Sequence, residues 1–380
     1  MGFVPAGNRV YYGRRSAPPV LALMVDSYRR NPHVTVGQGK KLVQETLPAL
    51  EREYRWWMEQ RNVTVRSADG QLQAILNVYR AGLLAAPMTH PRPEFYLQDV
   101  HRASNLSDPS SWDKLYRNGA AASESTWSSS SRWTDVEVED IVPVDLNAFL
   151  CAYERQMAEF YHSTGNEKMA EEFQDLAKIR ADAIHAFLWN DTVKMWRDYD
   201  VRAQKQRPGF YLSHIAPIFA HCSGKVNITS TDFLQAVFKS ADLKEATKYP
   251  GGIPASDATT PSGLQWDYPN AFAPLQLMLV EGFAGEEKFR DATLSWAQKF
   301  MSSIYRGYEA DKELYDRYDV SRVAEKGTGE EYEAQGGFGW TNGVALRLME
   351  LFPQDLNGAA THFATLSVLC MSLLSLFIFF

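Results

Sequence analysis

Only three cysteines, Cys151, Cys222 and Cys370, occur among the 380 residues. That is too few for a disulfide framework, and no C-x-x-C spacing points to zinc. Cys370 falls in an apolar C-terminal stretch. The other two are left to pair or to remain thiols, and the sequence favours neither. Runs of positive charge are missing as well. With 39 basic against 46 acidic side chains the formal charge is −7, which argues against nucleic acid as a partner. No extended run of alternating apolar and polar residues occurs, so an all-β architecture is excluded. Met1 opens directly on GFVPAGNRVYY, which has neither the basic nor the apolar region of a secretory signal.

What is present is an ordinary globular composition, 45% apolar and 22% charged, long enough for one large domain with a sizeable core. The 10 Trp, 18 Tyr and 20 Phe suit a large core first and sugar-stacking walls second. The last 18 residues, 363–380, carry no charge, and such a stretch just suffices to cross a bilayer. Because it is terminal and follows small residues, it reads as a GPI-attachment signal with Asn357 or Gly358 as the attachment residue. A tail anchor or a buried helix is the alternative. Four glycosylation sequons, at Asn62, Asn105, Asn190 and Asn227, agree with passage through the secretory pathway. An anchor signal without a leader expects a natural N-terminus upstream of Met1. The chain thus divides into residues 1–356, a folded domain, and residues 357–380, a signal or membrane tail.

Between the ends the periodicity is helical. Leu42, Leu47, Leu50, Tyr54 and Trp57 predict a helix over 35–60. Asp145 sits where an N-cap is wanted, ahead of Leu146, Phe149, Leu150, Tyr153, Met157 and Phe160. Gly165-Asn166 interrupts the run before Met169, Phe173, Leu176, Ile179 and Ile184 resume it, which predicts an αα-hairpin over 145–189. Further helices are expected at 230–247, 270–283, 287–306 and 341–352. Residues 195–200 are at most a short hairpin arm. Helix pairs separated by long loops predict an all-α toroid.

Five loop segments are too polar and too aromatic to be plain connectors. They are VPAGNRVYYGRRSAPP (4–19), HPRPEFYLQDV (90–100), SESTWSSSSRW (123–133), QWDYPNAFAPLQ (265–276) and GEEYEAQGGFGWTNG (329–343). Together they strongly resemble the α,α-trehalases of glycoside hydrolase family 37. That family's Q-W-D-x-P-x-small-aromatic-small-P signature is matched throughout from Gln265 to Pro274. The resemblance implies an (α/α)6 barrel, here lacking its N-terminal part, since the signature P-G-G-R-F-x-E-x-Y-x-W-D is absent. It also implies trehalose as substrate, hydrolysis to two glucose molecules with inversion, and no metal or organic cofactor. Inverting hydrolysis uses a carboxylic acid and a carboxylate roughly 6.5–9.5 Å apart.

By resemblance, substrate-binding roles fall on Arg15, Ser16, Arg92, Glu94, Glu331, Trp266 and Asp267. The departures concern the chemistry. The family's E-S-G-W-D-F-S-S-R-W reads Glu124-Ser-Thr-Trp-Ser-Ser-Ser-Ser-Arg-Trp133 here, so Ser128 stands at the acid position. Its hydroxyl is too weak an acid to protonate a leaving sugar oxygen, and losing general acid catalysis costs a factor of about 10²–10⁴. Thr126 replaces a glycine at which substrate approaches the backbone. The base position holds Asp316 in place of Glu, one methylene shorter. Ala6 and Ala17 replace an Asn and a Gln that contact sugar, and Gly336 replaces an acidic residue. Glu124 is a conceivable substitute acid. The expectation is therefore a trehalase on the extracellular face of the plasma membrane. The alternative is a catalytically impaired surface protein that binds sugar or a partner on the same scaffold.

Overall fold

A computed structural model of the chain describes residues 2–83, 86–87, 89–257 and 261–357. Helices α1 (Leu21–Arg29) and α2 (Val36–Gln60) form the first antiparallel pair. Thr35 starts α2 with a reciprocal cap: its hydroxyl accepts from Gln38 N at 3.3 Å, and Gln38 Oε1 accepts from Thr35 N at 2.9 Å. Shorter helices α3 (Tyr96–Ser104) and α4 (Trp112–Glu124) follow. Then come α5 (Val144–Thr164) and α6 (Glu167–Leu188), which pack along their lengths. Gly165, at φ +86°, makes the left-handed stop between them, and Asn166 caps α6 by accepting from Met169 N at 3.3 Å.

The second half contains α7 (Ala216–Phe219), α8 (Thr231–Phe238), α9 (Ala241–Ala246), α10 (Ala273–Ala284), α11 (Arg290–Asp311) and α12 (Gly339–Leu351). Helix α10 is its centre, packing on α7, α11 and α12 and burying Leu275, Met278, Leu279, Val280 and Phe283. Each such side chain contributes on the order of 1.5–3 kcal/mol by leaving water. One large core joins α5, α6, α10, α11 and α12, and two smaller ones lie under α2 and α5. Strands among the described residues are few and short and form no barrel. The protein is the all-α, helix-pair fold that its periodicity predicts.

Some boundaries differ. The helix expected over 230–247 is two, because Ser240 ends α8 and caps α9, accepting from Leu243 N at 3.3 Å. Residues 270–272 pair with 317–319 as strands before α10 begins. Asp145 is not the cap of α5: Pro143 is, and Asp145 turns inward as a fully buried partner of Arg132. The antiparallel hairpin of Asn62–Arg66 with Gln73–Asn77 is additional to the reading, although its alternation and the Asp69-Gly70 turn signal it. Cys151 on α5 and Cys222 beyond α7 form a disulfide, which resolves the choice left open by the sequence.

Candidate active site

The five polar segments converge. Residues 4–17 fold back on themselves, Ala6 N donating to Arg15 O at 2.9 Å and Ala17 N to Val4 O at 2.8 Å. This strap presents Arg15, whose guanidinium pairs with Glu94 and stacks over Tyr12 at 4.9 Å. Buried Arg15 Nε and Glu94 Oε2 have no protein partner, and buried polar atoms of that kind commonly await a ligand or water. Ala6 is exposed and Ala17 half-buried beside them.

Ser16 points the other way. Its amide and hydroxyl both donate to Glu124 Oε1, at 3.0 and 2.9 Å. Arg61 binds both oxygens of Glu124, and Arg80 N donates to Oε2 at 3.0 Å. Glu124 and Arg61 are both sealed from solvent. Such a saturated carboxylate has no free lone pair or proton to offer a substrate, so Glu124 is the anchor of the strap rather than a replacement acid.

Arg92 is the second centre. It grips Asp99 in a fork, Nε to Oδ2 at 3.0 Å and Nη2 to Oδ1 at 2.7 Å, and extends Nη1 to Glu331 Oε1 at 3.0 Å. The other Glu331 oxygen accepts from the Ser128 hydroxyl at 2.7 Å. Ser128, Arg92 and Glu331, far apart in the chain, therefore form one hydrogen-bonded unit. Beside it Thr126 is exposed and sits at φ +73°, a left-handed backbone that a β-branched residue adopts only under strain. The loop holds this shape because Arg132 beneath it is clamped between Asp145 and Asp198. Burial opposes ionisation of Asp198, but Arg132 and then His214 overcome it and hold that carboxyl far below its usual range.

Residue 332, next along the chain from Glu331, faces Asp316. Burial, then the charge of Asp316, raises the Tyr332 phenol above its ordinary value. Asp316 is fully buried: Arg317 Nη1 donates to Oδ2 at 2.7 Å and Gln335 N to Oδ1 at 2.9 Å. The 329–336 loop thus carries Glu331 to Ser128 and Tyr332 to Asp316. At Gly336 a Cβ would lie 2.1 Å from Glu313 Oε2, so the Glu313 carboxylate occupies the space a side chain at 336 would need.

The Gln265–Pro274 segment is buried behind this surface. Trp266 stacks on Phe272 with centroids 3.4 Å apart and leans on Trp127 and Trp340. Asp267 accepts from Ser130 Oγ at 2.8 Å, Ser131 N at 2.9 Å and Ser262 Oγ at 2.8 Å, fastening the serine loop. Gln265, absent from the residues inferred above, has a sealed amide that makes no hydrogen bond of ordinary geometry and lies beside the Tyr332 hydroxyl. Its place at the head of the signature was the signal for it.

The Trehalase family profile matches residues 1–353. Trehalase of Oryctolagus cuniculus is 36% identical over 383 residues, covering 98% of this chain and 62% of its own length. Human trehalase is 35% identical, covering 94% and 60%. The chain belongs to the trehalase family. Neutral trehalase of Saccharomyces cerevisiae shares the (α/α)6 fold at a TM-score of 0.69 and 18% identity, over 92% of this chain and 64% of that one. The chain spans about three fifths of the length of these curated relatives.

Within the trehalase scaffold a cavity of about 780 Å³ opens beside Ser128, between α3, α4 and residues 129–138. Of the residues the resemblance points to, Arg15 pairs with Glu94, and Arg92 and Glu331 meet the loop that carries Thr126 through Ser123 and Ser128. Trp266 and Asp267 support that loop from the core, and Ser16 supports the strap. The sequon residues Asn62, Asn105 and Asn227 are exposed, whereas Asn190 is half-buried with its amide donating to Gln206 at 2.8 Å. No helix among the described residues is long and apolar enough to cross a membrane. The tail at 363–380, with the attachment residue Gly358, lies outside the described residues.

Proposed function

We propose that this chain binds α,α-trehalose and hydrolyses it to two glucose molecules with inversion, at a rate held down by the serine at position 128. The observations that carry the reading are the Arg92–Glu331–Ser128 unit and, two residues along the chain from Arg92, Glu94 paired with Arg15, with buried atoms of both left without a protein partner. An uncharged polyol is recognised by such forks of Arg and carboxylate, whose directional hydrogen bonds replace those it makes to water. Binding groups are retained while the proton donor is not. The Ser128 proton is committed to Glu331, so no acidic hydrogen faces a leaving sugar oxygen. Asp316 would activate the attacking water, which must reach a buried carboxylate already accepting from Arg317 and Gln335.

The impaired alternative, a surface protein that binds sugar without turnover, is favoured by that same sealed Asp316. Passage through an oxidising compartment is supported by the Cys151–Cys222 disulfide. Within this reading residues 1–356 are the catalytic domain, and 357–380 direct attachment to the outer membrane face. Phosphatidylinositol-specific phospholipase should then release the protein from cells. Retention with 363–380 still present in the mature protein would instead mean a spanning helix.

Calorimetric titration of the full chain with trehalose tests the recognition. Saturable binding that weakens at least about tenfold in Arg15→Ala and Glu94→Gln is expected, each change removing a charge-assisted contact. Heat indistinguishable from dilution with the intact chain would remove trehalose as the ligand.

A further inference from the structure

The loss at position 128 changes which glucosides the site is fitted to cleave. General acid catalysis matters in proportion to the basicity of the leaving oxygen, so a site without a proton donor discriminates steeply in favour of acidic leaving groups. Ser128 donates its proton to Glu331 Oε2 at 2.7 Å, Glu331 Oε1 accepts from Arg92, and Glu124 has both oxygens bound. Glu331 and Glu124, the carboxylates nearest position 128 in this network, are thus both acceptors.

The cavity beside Ser128 supplies the second observation. Ser128, at the acid position implied by the resemblance, is part of its lining, and its 780 Å³ exceed what a hexose needs. Its walls are apolar in large part, with Leu106, Leu115, Trp133, Val136, Val138 and Leu264. Its cations are already matched, Lys114 by Glu137 at 2.7 Å and Arg102 by Glu330, so an anionic aglycone such as a phosphate finds no unpaired charge. A flat, apolar aglycone with an acidic hydroxyl fits both the walls and the missing proton. Phenols answer that description, the tyrosine side chain titrating at about 10.

We propose that this chain cleaves α-glucosides of phenolic aglycones, with the aglycone seated in the cavity of Leu106, Leu115, Trp133 and Leu264. The proposal rests on the trehalase-type placement of positions 128 and 316 given above. In the step, the bond between C1 and the aglycone oxygen breaks and its electron pair departs with the phenolate. A water oxygen bonds to C1 from the opposite face, and the water proton passes to Asp316. The products are β-glucose and the phenolate, which takes its proton from solvent after release.

The test uses the full chain and a series of substrates: trehalose, 4-methoxyphenyl, 4-nitrophenyl and 2,4-dinitrophenyl α-glucosides, and α-glucosyl fluoride. The expected result is a rise in kcat/KM of at least about 10²-fold from the methoxyphenyl to the dinitrophenyl glucoside. In Ser128→Asp the series should flatten, because the poor leaving groups gain and the good ones do not. Leu264→Asp should raise KM for the aryl glucosides more than for α-glucosyl fluoride, which has no aglycone to bury. Equal rates along the series in the unmodified chain, or no cleavage of either the dinitrophenyl glucoside or the fluoride, would overturn the proposal. So would a Leu264→Asp penalty of the same size on the fluoride. Trehalose is also measured as a competitive inhibitor. Inhibition without aryl cleavage defeats this proposal alone, whereas a steep series that trehalose does not inhibit defeats the trehalose reading and leaves this one standing.

Discussion

The serine loop at 123–133 and the signature segment at 265–274 touch each other, yet only the second keeps throughout the pattern on which the resemblance rests. The signature is matched throughout, and its residues are almost all core: Trp266 lies against Phe272, Asn270 donates to Gln265 O at 2.8 Å, and Asp267 fastens two groups of the serine loop and Ser262 of its own preceding turn. The serine loop keeps its own buried parts, Glu124, Trp127, Arg132 and Trp133. It departs at Thr126, which is exposed, and at Ser128, which faces the cavity. Side chains that hold the scaffold are those whose change would unfold it. Side chains at the surface of the loop, outside that scaffold, are free to change while the fold stays intact.

That contrast predicts where substitutions hurt stability. The largest effect should come from Glu124→Ala, which leaves Arg61 buried and unpaired and frees the strap. A loss of about 3–5 kcal/mol is expected in urea denaturation, and a loss below about 1 kcal/mol would show that the anchor is not needed. A carboxylate outside both segments sharpens the comparison. Glu53, pushed up to about 7 by burial against a lowering hydrogen bond from Tyr153, binds its proton more tightly folded than unfolded. Its stabilising contribution is therefore full below the ordinary value of 4.5 and is lost as pH rises through about 7. Glu53→Gln should be more stable than the unmodified chain by up to about 3 kcal/mol at pH 8 and equal to it near pH 4.5. A gain independent of pH would refute that origin.

Smaller effects follow. Asp267→Ala should cost about 2 kcal/mol by stripping the acceptor from Ser130, Ser131 and Ser262, with the loss absent if water replaces the carboxylate. Thr126→Gly should gain about 1–2 kcal/mol by relieving the left-handed backbone. No gain in melting temperature would mean that the loop already absorbs that strain.

The long helices were legible because their apolar periods run for several turns, as in α2, α5 and α6. Helices α1, α3 and α4 were not: α1 and α3 span only nine residues each, α3 presents Tyr96 and Leu97 to solvent, and α3 begins inside the polar 90–100 segment that drew a loop reading. The Arg15–Glu94 pair and the neighbourhood of Ser128 and Glu331 were legible only through the resemblance. Residues 79 and 203 positions apart in the chain meet there, and no local pattern encodes such a meeting. The anchoring role of Glu124 escaped for the same reason. Its partners Ser16, Arg61 and Arg80 come from three separate segments, and only the folded chain shows that its lone pairs are taken.

The central claim is that the scaffold still recognises trehalose while position 128 starves the reaction of a proton. Glucose release from saturating trehalose should be compared between the unmodified chain and the double variant Ser128→Asp, Thr126→Gly, both purified from cells lacking their own trehalase. The account predicts a kcat at least about 10²-fold higher in the double variant. Equal rates in the two proteins, with trehalose bound by both, would contradict it.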